Sequence, residues 1–375
     1  MLESVYKKKR ILAVCGTRPD AIKLCPVVAE LSRRAVFDCQ LCLTGQHAHT
    51  VRSTTELFGL SPCEDLGVMR LEQTLHGLTA LILEGMRDVL ERHHPDLVLV
   101  HGDTATAFAA SLAAFYSGIK VAHVEAGLRT YDLSEPFPEE WNRRSISLIA
   151  KHHFAPTERA RQNLLREGID PSAITVTGNT AIDALRTTVR LDYHHSLLRF
   201  AEGGRLLILT CHRRESVGEP MRQILRGVRR ALCEFEDLRL VCPLHPNPAV
   251  RALVKEELAD LRQVCLVDSL DVLTFHNLLA RSYLVLTDSG GIQEEAPALN
   301  KPVLVLRNCT ERPEGLEAGV ARLAGTTEGS VYRGICELIE NDALYYVMAH
   351  AKSPYGDGNA SVRIADALEK DISII

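Results

Sequence analysis

From residue 10 to residue 308, short apolar runs alternate with longer helical patterns, and this alternation restricts the fold more than any other feature of the chain. "RILAVCG" precedes "PVVAELSRR"; "FDCQLCLTG" follows; "DLVLVHGD" leads into the small-residue helix "TATAFAASLAAFYSG"; then come "KVAHVEAG" and "ITVTGN". Strands separated by helical stretches are joined by crossovers rather than hairpins, so the sheet they form is parallel. A polar, weakly patterned stretch at 188–204, "TVRLDYHHSLLRFAEGG", interrupts the rhythm, which restarts with "RLLILTCH", "LRLVCPLHP", "VCLVDS", "SYLVLTDSGG" and "KPVLVLRN". At 375 residues the chain exceeds what one core usually serves. The expectation is an α/β protein of two doubly wound domains, 1–185 and 200–355, with a C-terminal helix in 356–375 packing back onto the first.

Composition removes several function classes. A net charge of -5 argues against a general nucleic-acid or lipid-surface binder, so any anion must be held locally. The basic "MLESVYKKKR" is followed only by "ILAVC", too short for a signal-peptide core or a membrane span. Most of the eleven cysteines lie in apolar runs, where thiols behave as small hydrophobes, and the C-x-x-C spacing of Cys39 and Cys42 in a strand puts the two on opposite faces. The expected location is the cytoplasm.

In open α/β sheets ligands bind beyond the carboxyl ends of the strands. Gly16, Thr17 and Arg18, Gly102 and Asp103, Glu125, His212 and Arg213, and the turn from Ser289 to Gly291 all follow apolar runs. Polar groups at strand ends in both halves point to a cleft between facing domains. In "DSGGIQEEAP" the glycine pair opens a tight strand-to-helix turn where backbone N–H groups approach a phosphate, and Glu294 and Glu295 one turn on suit ribose hydroxyls. A nucleotide fits both. No P-loop is present, and the one G-x-G of interest, in "GDGNAS", has no preceding strand. His93-His94, His152-His153 and His194-His195 read as adjacent pairs on loops or helix ends, and no metal or cofactor is expected.

A dozen motifs in order over residues 11–361, among them "GTRPDAIKLCPV", "TGQH", "HGDT", "HVEAGLRT", "PFPEEWNRRS", "VTGNTAIDAL", "HRRE", "HPNP", "TDSGGIQEEAP", "TERPEG" and "PYGDGNAS", resemble the non-hydrolysing bacterial UDP-N-acetylglucosamine 2-epimerases. The resemblance implies two Rossmann-like domains of the glycosyltransferase B type with the active site in the interdomain cleft, a homodimer, and interconversion of UDP-GlcNAc and UDP-ManNAc. Inverting C2 is hard because its C–H is not beside a carbonyl, and without NAD no neighbouring carbon is oxidised first. Elimination of UDP to a glycal and re-addition after protonation of the other face remains. That chemistry needs proton-transfer groups and donors for the leaving diphosphate.

By resemblance, Asp103, Glu125 and Glu139 are the acid/base carboxylates. His212, counted with the catalytic groups, meets the diphosphate together with Arg18 and Lys23. Ser289, Gly290 and Gly291 supply hydroxyl and amide donors, Glu295 holds the ribose, Phe275 lines the uracil pocket, and Arg312 completes the site. A second UDP-GlcNAc, as activator, would use Gln46, His47, Gln73, Arg213 and His245. Ala48, His49 and Glu72 depart from the family pattern in a direction that weakens diphosphate binding there, and Asp20 replaces the usual glutamate of "GTRPE". A hydrolysing epimerase, a glycosyltransferase of the same fold and a catalytically inert nucleotide-sugar sensor are the alternatives.

Overall fold

The computed structural model describes residues 8–46, 48–70, 73–213 and 216–372. Two compact units divide the chain, Met1–Thr187 with Tyr355–Ile375 and Thr188–Pro354. The stretch from 188 to 199, read from sequence as the join, is held within the second unit. Thr188 Oγ1 and His276 Nδ1 share a hydrogen bond of 2.7 Å, and Arg190 N donates to Asn277 Oδ1 at 2.9 Å.

The first unit carries strands β1 (Lys9–Cys15), β2 (Phe37–Leu43), β3 (Glu64–Asp65), β4 (Leu97–His101), β5 (Lys120–Val124), β6 (His152–Ala155) and β7 (Ile174–Val176). They form a parallel sheet in the order β3-β2-β1-β4-β5-β6-β7. Alternation along β1 explains its burial on both faces. Ile11, Ala13 and Cys15 pack with Leu24 and Val28 of the helix Arg18–Arg33, whereas Leu12 and Val14 pack with Ile82 and Met86 of the helix Leu75–His93. Cys39 and Cys42 likewise belong to clusters on opposite faces. Ile364 and Leu368 of the last helix, Ala360–Ile372, are fully buried in the same core as Leu24. Each such aliphatic side chain contributes roughly 1.5–3 kcal/mol on burial, enough to tie the C-terminus to the first unit.

The second unit repeats the plan with β8 (Arg205–Thr210), β9 (Leu238–Pro243), β10 (Val264–Val267), β11 (Leu284–Thr287), β12 (Val303–Val305) and β13 (Ala321–Leu323). Its parallel order is β10-β9-β8-β11-β12-β13, the 3-2-1-4-5-6 arrangement of a doubly wound sheet. Both sheets reverse direction of build-up at their first strand, between β1 and β4 and between β8 and β11. Such a switch point opens a crevice at the strand ends.

Sequence reading missed β3, β6 and β13, each only two to four residues long. His152 and His153, expected on a loop or helix end, are the first half of β6, and His153 is buried. Two polar-looking residues open a strand here because the neighbouring β5 and β7 supply the pairing that the local pattern does not announce. Among the described residues no helix is long and apolar enough to cross a membrane.

Candidate active site

In the first unit the loops after β1, β4 and β5 converge. Thr17 caps the helix Arg18–Arg33 through a capping box: its Oγ1 accepts from Asp20 N at 3.3 Å and Asp20 Oδ2 accepts from Thr17 N at 3.1 Å. Asp20 Oδ2 also accepts from Thr104 Oγ1 at 3.2 Å, so the shorter carboxylate at this position serves two loops at once. Gly16 is bare for packing: a Cβ there would lie 2.1 Å from Thr106 Oγ1 and 2.5 Å from Thr44 Oγ1.

Asp103 follows β4 and is bound by the helix Glu139–Ile149. Arg143 Nε donates to Asp103 Oδ2 at 2.9 Å, with Nη2 on the same oxygen, and Asn142 Nδ2 donates to the Asp103 carbonyl at 2.8 Å. Glu125, just past β5, sits at φ 65 in the left-handed region, a conformation that costs a non-glycine residue roughly 1–2 kcal/mol. Lys23 pairs with its Oε2, Asn179 Nδ2 donates to the same atom at 3.5 Å, and a methyl group placed on Gly102 would stand 3.7 Å from Oε1. Glu139 occupies the first turn of its helix, half-buried.

The electrostatics of this cluster favour proton retention. Burial pushes the Asp103 carboxyl up, more than Arg143 lowers it, and Glu125 and Asp20 push it further. Burial likewise raises Glu139, with Asp103 adding to the effect. His101, at the end of β4, is buried between Glu125 (Nε2 to Oε2, 3.6 Å) and Asp20 (Nδ1 to Oδ1, 3.9 Å), and neither ring nitrogen has a hydrogen bond. Burial disfavours its imidazolium, yet the two carboxylates override that and raise its pKa. His123, equally buried but facing the Gly102 carbonyl at 2.7 Å, is instead driven down to about 3 by burial.

In the second unit the loops after β8, β9, β11 and β12 gather. The fully buried Asp288 takes the backbone N–H of His212 at 2.6 Å and of Arg213 at 2.7 Å on Oδ2, and its Oδ1 lies 3.4 Å from His212 Nδ1. The His212 ring stacks on His245 with centroids 5.2 Å apart. Ser289 N-caps the helix Gly290–Ala298 without a capping bond from its hydroxyl. Gly290 and Gly291 are absent from the left-handed backbone positions and form the first turn of that helix rather than a tight turn before it. Their bareness serves close approach, since a methyl group on Gly290 would stand 3.2 Å from Glu311 Oε1.

Arg312, on the loop that enters the helix Pro313–Glu317, pairs through Nε with Glu294, and Glu295 Oε2 lies 3.5 Å from His276 Nε2. Phe275 packs against two apolar clusters of this unit. Arg18 is the first residue of its helix. Gln46 accepts from Thr106 Oγ1 at 3.4 Å, while Gln73 is engaged by its own loop, donating to the Val68 carbonyl at 3.0 Å and accepting from Arg70 N at 3.3 Å. His47 and Glu72 lie outside the described residues.

The sites thus group by unit. Asp103, Glu125, Glu139, Lys23, Arg18, Gln46 and Gln73 lie in the first, and His212, Arg213, His245, Phe275, Ser289, Gly290, Gly291, Glu295 and Arg312 in the second. Sequence reading did not single out His101, Arg143, Asn179, Asp288 or Glu311. All five stand inside motifs it quoted; what marks them is their partners. Among the described residues no three His, Cys, Asp or Glu side chains come together as a metal-binding group.

Of the two doubly wound parallel sheets, one thus ends in a cluster of carboxylates and the other at a glycine-opened helix start with arginines beside it. Residues 29–369 match the family described as UDP-N-acetylglucosamine 2-epimerase. The UDP-N-acetylglucosamine 2-epimerase of Bacillus subtilis (strain 168) is 48% identical over 362 residues, covering 96% of this chain and 95% of that protein. The UDP-GlcNAc 2-epimerase of Neisseria meningitidis bound to UDP-GlcNAc superposes with a TM-score of 0.89 at 42% identity, covering 96% of this chain and 100% of that one. The enzyme of Methanocaldococcus jannaschii in complex with UDP-GlcNAc and UDP gives 0.82 at 32% identity, covering 96% and 99%. The chain belongs to the UDP-N-acetylglucosamine 2-epimerase family, a family of isomerases.

Proposed function

We propose that the protein interconverts UDP-GlcNAc and UDP-ManNAc without hydrolysis, by elimination and re-addition of UDP. A carboxylate of the first unit takes the C2 proton while the C1–O bond breaks. The electrons of the C–H bond form the C1=C2 bond of a glycal, and UDP departs as an anion. Protonation of C2 on the opposite face and attack of the UDP oxygen on C1 then give the epimer. The observation that carries this reading is the carboxylate cluster of the first unit, where Asp103, gripped by Arg143, and Glu139 are both raised above the ordinary carboxylate value by burial, with Glu125 beside Asp103. Lys23 and Arg143 restrain the carboxylates. Arg18, His212, Ser289, Gly290 and Gly291 receive the diphosphate, Glu295 the ribose and Phe275 the uracil.

A second UDP-GlcNAc acts as activator through Gln46, His47, Gln73, Arg213 and His245, with lowered affinity because of Glu72. The product feeds cell-surface polysaccharide synthesis. Buried reduced thiols such as Cys15, Cys25, Cys42 and Cys242 support a cytoplasmic location. Exposed Phe115, Tyr116 and Leu148 on neighbouring helices of the first unit support a homodimer.

Proton NMR of UDP-GlcNAc with the purified protein in D2O tests the reaction. UDP-ManNAc carrying deuterium at C2 is expected. Epimer without deuterium overturns the elimination route, and accumulation of free ManNAc with UDP identifies a hydrolysing enzyme instead.

A further inference from the structure

We infer that His276 positions the Glu295 carboxylate to meet the two ribose hydroxyls of the nucleotide, and thereby sets how strongly the second unit distinguishes a ribonucleotide from one that lacks them. The inference rests on the reading that Glu295 holds the ribose, and deepens it by assigning the residue that orients the carboxylate.

His276 lies on the helix Val272–Arg281, one residue after Phe275, and is buried. Its ring is held on one side and aimed on the other. Nδ1 shares a 2.7 Å hydrogen bond with Thr188 Oγ1, and Nε2 stands 3.5 Å from Glu295 Oε2. An ionised carboxylate only accepts, so the hydrogen belongs on Nε2, whereas a hydroxyl serves Nδ1 as donor or as acceptor and holds the ring in either case. Thr188 is itself pinned to the same helix. Its carbonyl accepts from Asn277 Nδ2 at 2.7 Å, Asn277 Oδ1 accepts from Arg190 N at 2.9 Å and from Arg281 Nη1 at 3.0 Å, and Arg281 Nη2 donates to the Arg190 carbonyl at 2.8 Å. The plane of the imidazole is therefore fixed by its surroundings.

Glu295 is buried in the helix Gly290–Ala298 next to Glu294, whose carboxylate pairs with Arg312. Consecutive positions on a helix point about 100° apart, so the two glutamates take different partners. Glu295 Oε2 faces His276, and Oε1 lies 4.0 Å from where a Gly291 Cβ would stand, toward the helix start assigned to the diphosphate. A carboxylate offers about four lone-pair sites on its two oxygens. One directed at His276 fixes the plane and leaves others for the vicinal hydroxyls of a ribose. A glutamate side chain is rich in rotamers, and holding it in place before the nucleotide arrives removes part of the ordering cost of binding. At 3.5 Å the contact is at the long limit of a hydrogen bond, so it orients the carboxylate without competing strongly with a ligand hydroxyl.

The test is calorimetric titration of the full chain with UDP and, separately, with 2′,3′-dideoxy-UDP, comparing the native protein with His276→Phe and His276→Gln. Phe keeps a ring and removes both nitrogens, and Gln returns an amide donor near the position of Nε2. The native protein should prefer UDP by about tenfold or more; His276→Phe should reduce that preference to about threefold or less with the dideoxy affinity unchanged, and His276→Gln should restore most of it. A ring that only packs would weaken both nucleotides alike. An unchanged ratio in His276→Phe therefore overturns the inference, as does a Gln variant that distinguishes the two no better than Phe. Equal affinities for the two nucleotides in the native protein overturn the ribose reading of Glu295 itself, a distinct outcome. Where His276→Phe does not fold, Thr188→Val removes the anchor of the ring instead; a preference lowered by about threefold supports the inference and an unchanged one overturns it.

Discussion

Asp103 of the first unit and Glu311 of the second are both partly buried carboxylates on loops that follow parallel strands, and both are gripped by arginine, yet their proton affinities lie on opposite sides of the ordinary value. Asp103 is raised, since burial and the neighbouring Glu125 and Asp20 outweigh Arg143. Glu311 is held at about 2, because Arg213, Arg312 and Arg307 outweigh burial. The ratio of cations to anions around the group decides, not depth alone. A carboxyl with further carboxylates beside it and one arginine holds its proton more tightly, and one faced by three arginines is held as an anion.

The largest effect should come from neutralising the two regions separately. Asp103→Asn, Glu125→Gln and Glu139→Gln should each lower kcat by a factor on the order of 10² or more while leaving UDP affinity nearly unchanged. Gly290→Val, which drives a branched side chain against Glu311 and Arg312, should do the reverse and weaken UDP by about tenfold or more. Steady-state kinetics with calorimetry separates them, and normal turnover in any one carboxylate variant removes that residue from the mechanism.

Next in size is activation. Arg213→Ala should abolish sigmoidal dependence on UDP-GlcNAc and the stimulation of the reverse reaction by added UDP-GlcNAc, while sparing UDP binding at the catalytic site, a coupling of about 5–150-fold in proteins generally. Hyperbolic kinetics already in the native protein, with full activity on UDP-ManNAc alone, would show that the second site is disabled.

A smaller shift is expected with pH. Arg143 lowers Asp103, so Arg143→Gln removes that influence and the Asp103 carboxyl rises further. Whether Asp103 acts as base, setting the acid limb of kcat/KM, or as acid, setting the basic limb, the limb it controls should move to higher pH. An unmoved profile would detach Asp103 from both limbs.

Smallest are the stability effects, and here the two regions should differ in sign. A carboxyl raised on folding contributes stability that is present below its unfolded pKa and lost as pH climbs through the folded one, so at neutral pH Asp103→Asn should raise Tm by roughly 2–4 °C. Glu311 is depressed. Its contribution is present above the unfolded pKa and lost only as pH falls toward about 2, so Glu311→Gln should lower Tm by roughly 2–4 °C. Thermal melts at neutral pH decide it, and changes of the same sign would mean that the local charge ratio does not govern both sites.

Much of the fold was legible because its signals are local. The continuous apolar runs that became β1, β4, β8 and β11 are long enough to announce themselves, and the α/β class with parallel sheets followed from the helices between them. The short β3, β6 and β13 were illegible for the converse reason, being strands only because longer neighbours pair with them. Gly16 was read beside Arg18 as part of a ligand loop, and the structure shows a packing contact with Thr44 and Thr106, residues 28 and more positions away. The glycine pair at 290 and 291 was legible as bare backbone but not as the first turn of a helix.

The sequence by itself determined the order of strands and helices, because hydrophobic period is a property of neighbouring residues, and it determined which chemical groups stand at the strand ends. The tertiary structure alone decided what those groups are electrostatically. Arg143 reaches Asp103 across 40 positions, Lys23 reaches Glu125 across 102, and Arg213 reaches Glu311 across 98. A carboxylate's pKa depends on charges within a few ångströms and on the water excluded around it, and neither is a function of distance along the chain. His101 shows the limit most plainly: it stands in the quoted "HGDT", and only the folding of the helix Arg18–Arg33 against β4 and β5 places Asp20 on one side of its ring and Glu125 on the other.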